Sequence, residues 1–219
     1  MNPVFVTGGT GYVGRPLIEA LLERGHTVYA LVRPASAGKL PPRAQAVIGD
    51  ALEAATFAAA IPPNAMFVHL IGTPHPNPSK AEEFRRVDLA SIHAAVAAAR
   101  QAAVDHFVYI SVAHPAPVMQ AYIAVRQEGE ALIQATRIRA TILRPWYILG
   151  PGHRWPYALL PLYALLRGIP KTREGAERLG LVTRGAMIAA LVKAIEVPHT
   201  ERVRVLGVRE IRRLSGEVG

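Results

Sequence analysis

Apolar positions recur along this chain with two alternating periods. Pro3-Val4-Phe5-Val6-Thr7 is the short apolar run of a buried strand, and Tyr12 to Arg24 then places Val13, Leu17, Leu21 and Leu22 on one side of a helix. Gly25-His26 stops that helix, and Thr27 to Val32 is a second strand. A loop rich in Pro, Ala and Gly runs to Arg43, and Ala46-Val47-Ile48 predicts a third strand ending at Gly49-Asp50. Glu53 to Ala60 reads as a short helix closed by Pro62-Pro63. Met66 to Ile71 is a fourth strand, Ala81 to Ala103 a long alanine-rich helix, and His106 to Ile110 a fifth strand. Gln120 to Thr136 is a further helix and Ala140 to Leu143 a sixth strand.

Strand and helix alternate regularly, which predicts an α/β fold: a doubly wound parallel sheet with helices on both faces. Phe67-Val68-His69-Leu70-Ile71 is almost continuously apolar, as a strand covered on both sides should be. From about Gly150 the pattern is shorter and mixed, with a helix near Arg184 to Ile195 and a last strand near Arg202 to Leu206. No repeat or long linker divides the chain, so residues 1–219 are expected to form one domain with a small C-terminal lobe from about 150. The apolar stretch Tyr157 to Leu166 is expected to cover a substrate pocket or pack on the core; Pro161 argues against a long membrane helix.

Composition narrows the picture. The chain has 219 residues, 51% of them hydrophobic, and no cysteine, which excludes disulfides and thiolate chemistry. The start lacks the basic and long apolar stretches of a signal peptide, and no apolar run is long enough to span a membrane. A cytoplasmic protein is therefore expected. The formal charge of +9 comes mostly from scattered arginines without a dense basic block, so nucleic-acid binding is not expected. His69, His75, His93, His106 and His114 have no metal-ligand spacing with acidic support, and no metal is expected.

The strongest local signal is Thr7-Gly8-Gly9-Thr10-Gly11-Tyr12-Val13-Gly14, where a strand gives way to an amphipathic helix. One glycine permits the tight turn, a second lets a pyrophosphate approach the backbone, and a third lets helix and strand pack closely. The helix N-terminus then offers free N–H groups to the phosphates. This context predicts a Rossmann-type nicotinamide dinucleotide site. At the end of the second strand, an acid would hold the 2′-hydroxyl of NAD. Val32 stands there instead, followed by Arg33, which can pair with a 2′-phosphate. NADP(H) is therefore favoured, with NAD(H) as the alternative.

These residues resemble the short-chain dehydrogenase/reductase superfamily. The likeness is closest to its extended and atypical branches, the NAD-dependent epimerase/dehydratases and NmrA-like NAD(P)-binding proteins. Gly49-Asp50-Ala51-Leu52 resembles the family's G-D-L segment, which implies that Asp50, with Ala51, lies at the adenine. Ile71-Gly72-Thr73 stands where the family's chain passes the cofactor. Ser111 stands where the family has its catalytic Ser or Thr. Arg144 to Gly152 resembles the segment after the sixth strand, and Thr183 to Ile195 a helix that begins near D-V-A.

The family's reactive pair is Y-x-x-x-K, and the aligned residues here are Tyr122 and Arg126, four apart on one helix face. A tyrosine in this role exchanges a proton with the substrate oxygen. A phenol ionises only near pH ~10 in water, and a neighbouring cation favours its phenolate. Arg126 keeps the positive charge but not the compact ammonium. The resemblance implies that it holds ribose and biases Tyr122, while Ser111 polarises the substrate oxygen. The expected function is an NADP(H)-dependent oxidoreductase, or an epimerase or dehydratase, acting on a small carbonyl or hydroxyl compound. The alternative is an NmrA-like redox sensor or structural subunit that binds dinucleotide without turnover and reports to a regulatory protein partner.

Overall fold

The computed structural model describes residues 2–151, 174, 175, 177–197 and 199–216. Its strands run in chain order as β1 (Val4–Thr7), β2 (Val28–Val32), β3 (Gln45–Ile48), β4 (Met66–His69), β5 (His106–Ile110), β6 (Arg139–Leu143), β7 (Tyr147–Leu149), β8 (Leu181–Thr183) and β9 (Val203–Leu206). Among the described residues, seven form one sheet in the order β3-β2-β1-β4-β5-β6-β9, every pair parallel. β7 and β8 pair separately. The strand order reverses between β1 and β4, which opens a crevice at their carboxyl ends.

Side chains alternate between the two faces of a strand, and each face has its own core. Val4, Val6, Val28, Val68 and Val108 meet α1 (Gly14–Glu23), through Leu17, Ile18 and Leu21. On the other face Phe5, Phe67 and Phe107 meet α2 (Ala90–Gln101) and α3 (Gln120–Gln134), through Ile92, Ala95 and Ile133. The three phenylalanines share one register, with ring centroids 5.3 and 5.0 Å apart. Each such buried ring contributes about 1.5–3 kcal/mol. α4 (Arg184–Glu196) and α5 (Val208–Ser215) complete the first face, with Met187, Leu191 and Ile211 in its core.

Against the sequence-based expectation, β4 stops at His69 rather than Ile71, the β7–β8 pair is new, and three helices differ. The helix expected from Tyr12 begins at Gly14, because the glycine turn extends to that point. The helix expected over Glu53 to Ala60 is two 3₁₀ turns, Ala54–Thr56 and Ala58–Ala60; the Thr56 hydroxyl bonds the Glu53 and Asp50 carbonyls and competes with helical pairing. The long helix expected from Ala81 is a single turn, Ala81–Glu83, then a π turn, Phe84–Leu89, and only then α2. The apolar stretch Tyr157 to Leu166, and Gly152, lie outside the described residues. Among those described, no helix is long and apolar enough to cross a membrane.

Candidate active site

The turn from Thr7 to Gly14 is built around its glycines. Gly8 has φ +77°, and its carbonyl oxygen accepts from the Gly11 N–H at 3.0 Å. A Cβ on Gly8 would stand 2.9 Å from the Leu70 carbonyl carbon, and one on Gly9 2.7 Å from Ile18 Cδ1. A Cβ on Gly14 would collide with the Gly8 carbonyl oxygen and lie 2.8 Å from Gly9 Cα. The backbone therefore closes tightly on the N-terminus of α1, whose first turn holds no acidic residue. The positive end of that helix faces the turn, so this cradle fits the diphosphate of a dinucleotide. Thr10, Tyr12 and Val13, half-buried, complete its rim.

Beneath the turn lies a chain of fixed proton positions. The Ser91 hydroxyl donates to the Asp88 carbonyl at 3.0 Å, so toward His69 it can only accept. His69 Nε2–H therefore donates to Ser91 at 3.3 Å, and His69 Nδ1 accepts from the Thr7 hydroxyl at 2.8 Å. Burial, aided by the charge of Arg126, pushes the His69 pKa down to about 3. Burial, with His199 and Arg139 beside it, lowers His106 to about 4. Both rings are neutral in the fold but bind protons in the unfolded chain below pH ~6.5. Their contribution to stability is thus complete above that pH and is lost as pH falls toward 4 and 3. Urea unfolding at pH 7 and pH 5 is expected to show a loss of up to about 2 kcal/mol for each histidine, with a slope approaching ~1.4 kcal/mol per pH unit only below pH ~6.5. A stability flat between those two pH values would mean that the rings are not held neutral.

Arg33 and Asp50 sit at the far rim, where Gly49 N–H donates to the Val32 carbonyl and joins the ends of β2 and β3. Arg33 is exposed and has no carboxylate partner among the described residues. Asp50 is exposed, its Oδ1 accepting from Leu52 N–H at 2.9 Å, and Ala51 beside it packs on the second core.

Tyr122 and Arg126 are one helical turn apart on α3, and the π turn meets both at the same spacing. Phe84 lies 5.0 Å from the Tyr122 ring, and Asp88 accepts from Arg126 Nη2 at 2.5 Å. The Arg126 guanidinium stands 5.0 Å from the Tyr122 ring centre. Its Nη groups also donate to the carbonyls of Ile71, at 3.3 Å, and Ile110, at 3.0 Å. The pair is deeply buried, with side-chain exposures of 5% and 0%. Burial opposes the guanidinium charge, but Tyr122, Tyr109 and Asp88 outweigh it, and the Arg126 pKa is raised. Gly72 makes room for this arrangement, since a Cβ there would stand 2.5 Å from Arg126 Nη2. Thr73 donates to Asp88 through its N–H at 3.0 Å and its hydroxyl at 2.6 Å. Ile71, Gly72 and Thr73 are thereby joined to Arg126 on one side, and through Gly8 to the glycine turn on the other.

Ser111 follows Ile110 directly and donates to Glu130 Oε1 at 2.5 Å. Glu130 also accepts from Arg144, through Nε at 2.9 Å and through Nη2. His114 lies 3.6 Å from the same carboxylate; burial and Arg144 lower its pKa against the pull of Glu130. A cleft of about 280 Å³ opens beside His114 and Arg144. Val112, Ala116 and Ile123 form a small buried apolar cluster, against which Tyr122, Trp146 and Leu179 pack. Phe84, Asp88 and Glu130 were not among the residues expected from sequence. Glu130 had a signal: it stands four residues after Arg126, on the same helix face.

Compared with known proteins, the chain matches the family described as NAD(P)H-binding over residues 8–157. It is 30% identical over 215 residues to the ceramide reductase of Caulobacter vibrioides, covering 95% of this chain and 63% of that protein. It thus spans less than two thirds of that relative's length. It is also 30% identical over 224 residues to a 3-diazoavenalumate denitrifying reductase of a Streptomyces species, covering 90% of this chain and 73% of that one. Among solved structures, the Bordetella bronchiseptica enzyme WbmH in complex with NAD+ matches with a TM-score of 0.70 at 20% identity, over 96% of this chain and 78% of that one. At such identity the likeness is one of fold.

Proposed function

The chain belongs to the NAD(P)H-binding family and has the fold of the short-chain dehydrogenase/reductases; from that premise we propose that it is an NADP(H)-dependent reductase of an apolar carbonyl compound. The observation that carries this reading is Tyr122 standing over a buried, permanently charged Arg126, which is joined through Ile71 and Gly72 to the glycine turn. When bound, the nicotinamide supplies the hydride. The Tyr122 hydroxyl gives its proton to the substrate oxygen as that oxygen gains negative charge. Arg126 offsets the phenolate left behind. Its Nη donors are engaged by Asp88, Ile71 and Ile110, so it acts on Tyr122 by charge, from a fixed position. Ser111 has turned its proton to Glu130 and meets the substrate with its lone pairs, which suits the hydroxyl of the alcohol product. The apolar cluster of Val112, Ala116, Trp146 and Leu179 around Tyr122 supports an apolar substrate body, and the names of the two reductase relatives support reduction over epimerisation.

A second reading, an NmrA-like protein that binds dinucleotide and signals to a partner without turnover, is favoured by one observation. Ser111 does not offer its proton to a carbonyl while Glu130 holds it. NADPH oxidation, measured over a panel of aryl and long-chain alkyl ketones, separates the two. The wild-type chain is expected to turn over, and Tyr122→Phe to lose about 10²–10⁴-fold. Turnover untouched by Tyr122→Phe would reject the proton role; absence of turnover with every ketone would favour the sensor. In parallel titrations NADPH is expected to bind more tightly than NADH, because Arg33 is available to a 2′-phosphate. The reverse order would remove that role for Arg33.

A further inference from the structure

We propose that Arg184 is a cofactor-binding residue, the counter-ion of the dinucleotide's diphosphate bridge; this rests on the dinucleotide reading above and adds to it a residue outside the glycine turn. Arg184 opens α4, whose N-cap Thr183 accepts from Ala186 N–H at 3.0 Å. Its guanidinium carbon stands 5.1 Å from the centre of the Tyr12 ring, and Tyr12 belongs to the glycine turn itself. Gly150 closes the contact: a Cβ there would strike the Tyr12 hydroxyl and lie 3.2 Å from Arg184 Cβ. The residue is half-buried.

No carboxylate among the described residues pairs with Arg184, whereas Asp88 serves Arg126 and Glu130 serves Arg144. Withdrawing a guanidinium from water is costly, and a cation–π contact of about 0.5–1 kcal/mol at a partly exposed site compensates only in part. The first turns of α1 and α4 both lack acidic residues, and the two helices pack against each other. Two positive helix ends and an arginine without a counter-ion among the described residues therefore converge at one turn. A ligand group with two negative charges supplies what the protein leaves out. The 2′-phosphate is the other anionic group of NADPH, and its expected partner, Arg33, stands at the far rim.

The test is the affinity of the full chain for NADPH, NADH and ADP-ribose, measured by fluorescence and calorimetric titration at low and high salt. Arg184→Gln is expected to weaken all three by the same factor, about ten- to hundredfold, with the melting temperature of the ligand-free protein unchanged. Raising salt should weaken the wild type more than this variant. Arg184→Lys, which keeps the charge, should bind several-fold more tightly than Arg184→Gln. The proposal is overturned if Arg184→Gln binds within twofold of wild type, if the loss is confined to NADPH, or if Arg184→Lys binds no better than Arg184→Gln. If the wild-type chain binds none of the three, the dinucleotide reading itself falls, and this inference with it.

Discussion

Replacing Asp88 with alanine is expected to destabilise the protein by about 3–5 kcal/mol, read as a fall in the urea midpoint. The cost does not lie mainly in the lost attraction. It lies in the guanidinium left behind, because Arg126 is buried. The carbonyls of Ile71 and Ile110 remain as acceptors, but neither carries charge. Thr73 loses the acceptor for both its N–H and its hydroxyl at the same time. Replacing both members of the pair, as Asp88→Leu with Arg126→Met, is expected to recover most of the loss, since apolar groups of similar volume need no counter-charge. A loss below ~1 kcal/mol for Asp88→Ala would mean that the guanidinium finds solvent, and that its fixed place beneath Tyr122 is wrong.

Gly14→Ala is expected to lower NADPH affinity at least about 100-fold, roughly 2.7 kcal/mol. Gly14 is not at positive φ, so the effect is steric. The new methyl would meet the Gly8 carbonyl oxygen and Gly9 Cα, both backbone atoms that no side-chain rotation can move. The turn would have to open, and opening it misplaces the N–H groups that face the phosphates. Gly38→Ala is the control, because a Cβ there has nothing within 4 Å and needs no unusual dihedral. It should leave both stability and affinity within experimental error. Equal affinities for Gly14→Ala and Gly38→Ala would remove the glycine turn from the site.

The legible part of this protein was local. β5 is expected at His106–Ile110, where the structure has it, because a five-residue run rich in aromatic and β-branched side chains suits a buried strand and is too short for a helix. The glycine turn was legible because its three spacings answer three short-range steric demands, all met within eight residues. The long helix predicted after Ala81 is interrupted in the structure for the opposite reason. Nothing near Asp88 in the chain calls for a π turn; its partner Arg126 is 38 residues away, and burying that charge outweighs regular helical pairing.

The same distinction runs through the candidate site. Sequence by itself marked Tyr122 and Arg126 as neighbours, since a spacing of four puts two side chains on one helix face. It established the alternation of strand and helix, and with that the doubly wound parallel sheet. Only the tertiary structure decided that Arg126 faces inward to Asp88, that Ser111 gives its proton to Glu130, and that Arg184 comes to rest on Tyr12. Each of these depends on which distant element supplies the partner for a charge or a hydroxyl. Periodicity along a chain carries no record of that choice, because it is made by packing and by the cost of leaving a buried polar group alone.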